Sequence, residues 1–187
     1  MTPAPPMASV PPPMGVNVRT ATVPDRASIL RLVEAAFSDE GRDGQEEVDI
    51  VVDTWTLEDT TPELELVAVK GGAVVGHVMA AWGDLGGKRV PAVAPLAVAP
   101  AHQGQGIGTA LMTELLSRVE AEKLPLVVLL GSPAYYRRFG FEPAGPLGII
   151  YRPVGAGDPA FQVRRFPKYD PSHRGDFTYC WEKSVPH

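Results

Sequence analysis

Residues 103–108, Gln103-Gly104-Gln105-Gly106-Ile107-Gly108, form a Gly-rich turn between a short apolar run and an amphipathic stretch. A turn of this kind aims several consecutive backbone N–H groups at one point. At a helix N-terminus the aligned peptide dipoles add roughly half a positive charge. A pyrophosphate fits such a cradle without any basic side chain. The chemistry on offer is therefore recognition of a phosphorylated cofactor.

Two other Gly-rich loops are excluded by spacing. A Walker A loop needs Gly-x-x-x-x-Gly-Lys-Ser/Thr, and the next lysine downstream is Lys123. The dinucleotide fingerprint Gly-x-Gly-x-x-Gly follows the first strand of a βαβ unit; here the spacing is Gly-x-Gly-x-Gly, and it follows a hairpin meander. That disfavours a dinucleotide-binding oxidoreductase.

The elements that must position the turn are legible from periodicity. Residues 16–19 alternate as a first strand, and Thr22-Val23-Pro24-Asp25 reads as a helix entry. Ile29, Leu30, Leu32, Val33 and Phe37 then share a helix face. Residues 38–45 read as a loop, and 46–55 as a second amphipathic helix carrying Val48, Val51, Val52 and Trp55. The period then changes to strands at 64–69, 73–82 and 90–99, joined by Gly71-Gly72 and by a turn at 84–88. A long helix follows at 106–120, then an apolar strand over residues 126–130 and a short helix over 135–139 stopped by Gly140. Strand-like pieces at 148–151, 161–165 and 177–182 close the chain. The order βααβββαβαββ predicts an α/β (α+β) fold: a mixed, mostly antiparallel sheet of about six to seven strands flanked by helices.

Composition narrows the class. The 187 residues suit one domain, read as 16–187, behind a Pro-rich disordered tail over 1–15. A formal charge of −5, from 17 basic and 22 acidic residues, gives no footprint for nucleic acid or an anionic membrane. No apolar run reaches the roughly 18–20 residues of a membrane span, and the N-terminus lacks a secretory pattern. The single Cys180 cannot form an internal disulfide, and a cytoplasmic setting is expected. Metal-ligand spacings such as His-Glu-x-x-His and Cys-x-x-Cys are missing, so no metal site is expected.

The turn resembles the Gln/Arg-x-x-Gly-x-Gly/Ala signature of the GCN5-related N-acetyltransferases, the GNAT superfamily. The segment Val127-Val128-Leu129-Leu130-Gly131-Ser132-Pro133-Ala134-Tyr135-Tyr136-Arg137-Arg138-Phe139-Gly140-Phe141 resembles that family's next motif, an apolar strand and short helix bearing Tyr-x-x-x-Gly-Phe. Both motifs occur in family order, and the likeness covers roughly residues 16–145. It looks closest to a bacterial branch of predicted acetyltransferases.

The resemblance implies acetyl-CoA as donor and a primary amine of a small molecule or peptide as acceptor, joined directly in a ternary complex. A homodimer is common for the fold. In the implied site, Gln103, Gly104, Gln105, Gly106, Ile107, Gly108 and Thr109 hold the pyrophosphate, and Leu96, Ala97 and Val98 pair with pantetheine. The N–H of Ala97, or of Leu96 beside it, polarises the thioester carbonyl. Tyr136 stands at the family's general acid, a phenol that stays protonated at neutral pH and can donate to the thiolate. Tyr135 is read as packing or acceptor wall. The base is open: residues 90–99 carry no acid, leaving Glu46, Glu47, Asp84 and His77 as candidates. His102 reads as exposed, and Arg137 and Arg138 as CoA-steering or solvated. The competing reading is a non-catalytic acetyl-CoA or CoA-binding module of the same fold.

Overall fold

The computed structural model describes residues 10–39, 42–57 and 60–184. Most of the Pro-rich stretch, residues 1–9, lies outside the described residues. The described elements are β1 (Val16–Thr20), α1 (Arg26–Phe37), β2 (Ser38–Asp39), β3 (Arg42–Asp43), α2 (Gln45–Thr56), β4 (Thr60–Lys70), β5 (Ala73–Leu85), β6 (Lys88–Val98), α3 (Ile107–Ala121), β7 (Leu126–Leu130), α4 (Pro133–Tyr136), β8 (Glu142–Pro143), β9 (Ile149–Ile150), β10 (Phe161–Arg165) and β11 (Gly175–Tyr179). Among the described residues, nine strands join one sheet in the path β1-β4-β5-β6-β7-β10-β8, with β11 on the far half of β5 and β9 on β11. The pairings along that path are antiparallel except β6 with β7.

The sheet is a layer between helices, as its apolar runs require. On one face α3 buries Ile107, Leu111, Leu115 and Val119 against Leu66, Ala68 and Val78. On the other, α1 and α2 bury Ile29, Val33 and Val51 against Val67, Met79 and Ala97. A third cluster, around Tyr151, Phe161, Phe177 and Tyr179, fills the end where β9, β10 and β11 meet.

The helix entry is held by one carboxylate. Asp25 accepts both guanidinium N–H groups of Arg19 (2.7 and 2.8 Å), and the N–H and hydroxyl of Thr22 (2.8 and 2.7 Å). This pins β1 to the start of α1. In α2 the Thr54 and Thr56 hydroxyls donate to the carbonyls of Ile50 and Val52 one turn earlier.

Three stretches differ from the sequence reading. Residues 38–45 contain the small β2–β3 hairpin, stitched by the Ser38 hydroxyl on the carbonyls of Glu34 and Asp43 (2.7 and 2.9 Å). The last strand ends at Tyr179 and turns into a 3-10 turn, Trp181–Ser184, because the Glu182 carboxylate folds back to accept the Tyr179 N–H (2.8 Å). The sheet also exceeds seven strands, since the two-residue strands β8 and β9 pair with distant partners.

Candidate active site

The site begins where β6 and β7 part. The two strands pair in parallel only at Ala92–Val128 and Val93–Leu129. Against β5, the register slips so that Met79 alone opposes Ala94 and Pro95, a β-bulge. Beyond it the strands diverge around a cleft of about 860 Å³. Its walls are Leu96 and Val98 of β6, the Leu130-Gly131-Ser132 end of β7, the Gly-rich turn, and Tyr135, Tyr136 and Arg138. The start of α2 and the aromatic residues Tyr151, Tyr179 and Trp181 close the other end.

Register decides which β6 backbone groups face this gap. The Ala99 N–H donates to the Val75 carbonyl (3.0 Å), and the pairing continues through Val98–Gly76, Ala97–His77 and Leu96–Val78. Hydrogen-bonded pairs alternate in an antiparallel ladder, so Ala97 turns its N–H and carbonyl toward β5. Leu96 and Val98 turn theirs into the cleft. The Val98 carbonyl there accepts from the Gln103 amide (3.1 Å). Ala97 is buried with α1 and α2 and is not part of the cleft wall. Of the two expected oxyanion donors, Ala97 and Leu96, the register turns the N–H of Leu96 toward the cleft and that of Ala97 toward β5.

The turn has the conformation its glycines allow. Gly104 (φ 72°) and Gly106 (φ 84°) are left-handed, and Gly106 caps α3. The first helical bond runs from the Ala110 N–H to the Gly106 carbonyl (3.0 Å), leaving the N–H groups of Ile107, Gly108 and Thr109 without an intrahelical partner. These are the donors a pyrophosphate needs, so the cradle fits such a group. Gly108 serves differently: a Cβ there would lie 2.7 Å from the Tyr135 hydroxyl. Tyr135 in turn bonds Thr109. It acts as a buttress of the turn, and Arg138 locks it by stacking 4.8 Å over its ring and donating to its carbonyl (3.0 Å).

Tyr136 follows on α4 and packs edge-on against Tyr135 (4.9 Å) and Phe141 (5.8 Å). Its burial, with Tyr135 alongside, pushes the phenol well above its ordinary value. A proton is thus held at the cleft wall at any physiological pH.

The remaining candidates divide cleanly. His77 is fully buried, 3.1 Å from the Glu65 carboxylate that also accepts the Trp55 indole N–H (3.0 Å), so it ties α2 to the sheet. Asp84 accepts the Gly87 N–H and shapes a turn. Glu46 and Glu47 alone among the four reach the cleft. His102 also lines it and is half-buried. Arg137 is exposed. The aromatic end was missed: Tyr179 and Trp181 carry no spacing signal, and only the fold of the last residues brings them to Tyr151. Among the described residues, no group of His, Cys, Asp and Glu is arranged to hold a metal ion.

Comparison with known proteins agrees with this geometry. Residues 17–144 match the family model described as an acetyltransferase (GNAT) domain, and the chain belongs to that family. Two Escherichia coli relatives, the uncharacterised N-acetyltransferases YjhQ and YhbS, are 35% identical over 107 residues and 40% over 111. These matches take in 54% and 58% of this chain, but only 59% and 66% of the relatives' own lengths. Among solved structures, YhbS in complex with CoA superposes with a TM-score of 0.79 at 30% identity, covering 94% of this chain and 96% of that one. A Brucella melitensis GNAT acetyltransferase in complex with acetyl-CoA gives 0.72 at 32% identity, covering 88% and 95%. No helix of the described residues is long and apolar enough to cross a membrane.

Proposed function

We propose that this chain is an N-acetyltransferase that carries the acetyl group of acetyl-CoA directly to a primary amine of a small molecule or peptide within a ternary complex. The observation that carries the reading is the convergence of three groups on one cleft: the unpaired N–H groups of the turn, the inward Leu96 N–H, and the half-buried Tyr136 phenol. Relatives solved with acetyl-CoA and with CoA support the choice of donor. A cytoplasmic setting fits the single, buried Cys180.

Acetyl-CoA supplies an activated acyl group. The turn and the first N–H groups of α3 hold its pyrophosphate, and Val98 pairs with the pantetheine once Gln103 releases the carbonyl. Leu96 N–H polarises the thioester carbonyl as negative charge develops on its oxygen. The ammonium of the acceptor first gives one proton to water, and the neutral amine nitrogen then bonds to the carbonyl carbon, the carbon–sulfur bond breaks, and Tyr136 gives its proton to the sulfur. The amine's own proton leaves to water in the open cleft, and the phenol is then reprotonated. No acid stands on residues 90–98 to act as a base.

Calorimetry with acetyl-CoA and with NAD, followed by thiol release over an amine panel, tests this. Acetyl-CoA binding with amine-dependent thiol release is expected. Binding without release toward any amine would leave a CoA-binding module, and binding of NAD alone would reject the reading.

A further inference from the structure

The acceptor end of the cleft has a composition of its own. Two carboxylates, Glu46 and Glu47, enter it from the first turn of α2, opposite the aromatic wall. Glu47 is ion-paired through Oε1 to Arg42, yet its Oε2 is buried and has no hydrogen-bond partner among the described residues. Such an oxygen costs free energy unless a donor reaches it. Glu46 stands close enough to Tyr151 for its charge to disfavour the phenolate.

The aromatic wall is rigid. Tyr179 and Trp181 stack at 4.4 Å and 19°, and Tyr151 meets Tyr179 edge-on at 5.2 Å. Tyr151 donates its hydroxyl to Glu182, whose other oxygen accepts the Tyr179 N–H. Both oxygens of Glu182 are thereby committed to holding the wall. The carboxylates and guanidinium of the cleft are then Glu46, Glu47 and Arg138, and Arg138 is held over Tyr135 beside the Gly-rich turn. Arg42, which pairs Glu47, is the cation at the α2 end.

From this arrangement we infer that the acceptor is a cationic amine with a flat or apolar body and no carboxylate near the reacting nitrogen, selected by Glu46 and Glu47 against free amino acids. The negative charge of Glu46 and Glu47 holds the ammonium, while the aromatic wall takes the body and contributes cation–π attraction. A carboxylate on the same carbon as the amine would be driven against Glu46 and Glu47 with too little positive charge to neutralise it. Rejection then works through repulsion as much as attraction. The inference rests on the amine-acetylation reading above. It goes further in assigning the specificity to two residues on α2.

Matched pairs test it: 2-phenylethylamine against phenylalanine, and tyramine against tyrosine. Binding to the CoA-loaded protein is followed by Trp fluorescence, and turnover with acetyl-CoA by thiol release. The expected result is that each amine is preferred over its amino acid by about a hundredfold in kcat/KM. Glu46→Gln with Glu47→Gln should lower that preference at least about tenfold with acetyl-CoA affinity unchanged. Both carboxylates also favour the N-terminus of α2, but a role confined to the helix would move the melting temperature and not the ratio. Equal use of both members of each pair, a ratio unaffected by the double variant, or binding of neither pair overturns the inference. Selective amine binding without turnover would uphold it and reject acetyl transfer instead, whereas turnover of both members alike would do the reverse.

Discussion

Gly108→Ala should damage the protein through a single atom. The added Cβ would lie 2.7 Å from the Tyr135 hydroxyl and 3.6 Å from Val98 Cγ2, while the Tyr135 ring carbon behind the hydroxyl is 3.9 Å away. Only the hydroxyl is too close, by about 0.7 Å against ordinary contact. Tyr135 cannot simply swing aside, because its ring is packed in the core and stacked by Arg138, and its hydroxyl is bonded to Thr109. Overpacking of this kind costs about 1–3 kcal/mol, partly offset by up to about 1 kcal/mol of helix preference for Ala over Gly. A net loss of about 1 kcal/mol lowers the melting temperature by about 2–4 °C for a chain of this size. Tyr135→Phe alone loses one hydrogen bond, about 1 kcal/mol. Additive behaviour would then put the double variant about 2 kcal/mol down. The geometry predicts otherwise: with the hydroxyl gone the methyl fits, and the double variant should sit within about 0.5 kcal/mol of the wild type. Urea unfolding of the four proteins, with acetyl-CoA affinity measured alongside, completes the cycle. Additivity would refute the assignment of Gly108 to steric clearance.

Further outcomes follow from the same structure. Replacing the amide at Leu96 by an ester, which removes its N–H and keeps its side chain, should lower kcat by about 10²–10³-fold. The same change at Ala97 should cost about 1 kcal/mol of stability and leave kcat in place; the reverse pattern would overturn the register argument. Because burial raises the Tyr136 phenol above its ordinary value, the acid stays loaded to at least about pH 10. A pH–kcat profile should therefore show no alkaline fall below that point, and one that vanished in Tyr136→Phe would contradict the assignment. Asp25→Asn should cost about 2 kcal/mol in denaturant unfolding, since it leaves Arg19 and Thr22 short of a charged acceptor. The Arg19 guanidinium holds the Asp25 pKa far below its unfolded value, so on acidification the unfolded chain takes up the proton first. That contribution is present above about pH 4 and is lost as the pH falls further, whereas Asp25→Asn should flatten this part of the profile.

What could be read from the chain was local. The apolar run β7 and the strand β10 have the limits that periodicity assigned, because each is bounded by turn residues and buried as a unit. The Gly-rich turn was legible because its chemistry is backbone chemistry, specified by where glycine stands. The oxyanion donor was not. Choosing Leu96 over Ala97 depends on which edge of β6 faces β5, and that parity follows from the bulge opposite Met79 and the pairing with distant His77. The acceptor end was beyond periodicity as well. Tyr151, Tyr179 and Trp181 meet through β9, β11 and the Glu182 carboxylate, contacts between residues with no shared pattern. Glu46 and Glu47 stood level with Asp84 and His77 as candidate bases, and only the fold sets them in the cleft.

The central claim is that Tyr136 gives the proton that releases the thiol in this cleft. Steady-state thiol release by Tyr136→Phe, with acetyl-CoA affinity measured by calorimetry on the same protein, addresses it most directly. The expected kcat is lower by about 10²–10⁴-fold, with the affinity within about twofold of the wild type. An unchanged kcat, or an equal loss of affinity and turnover, would contradict it.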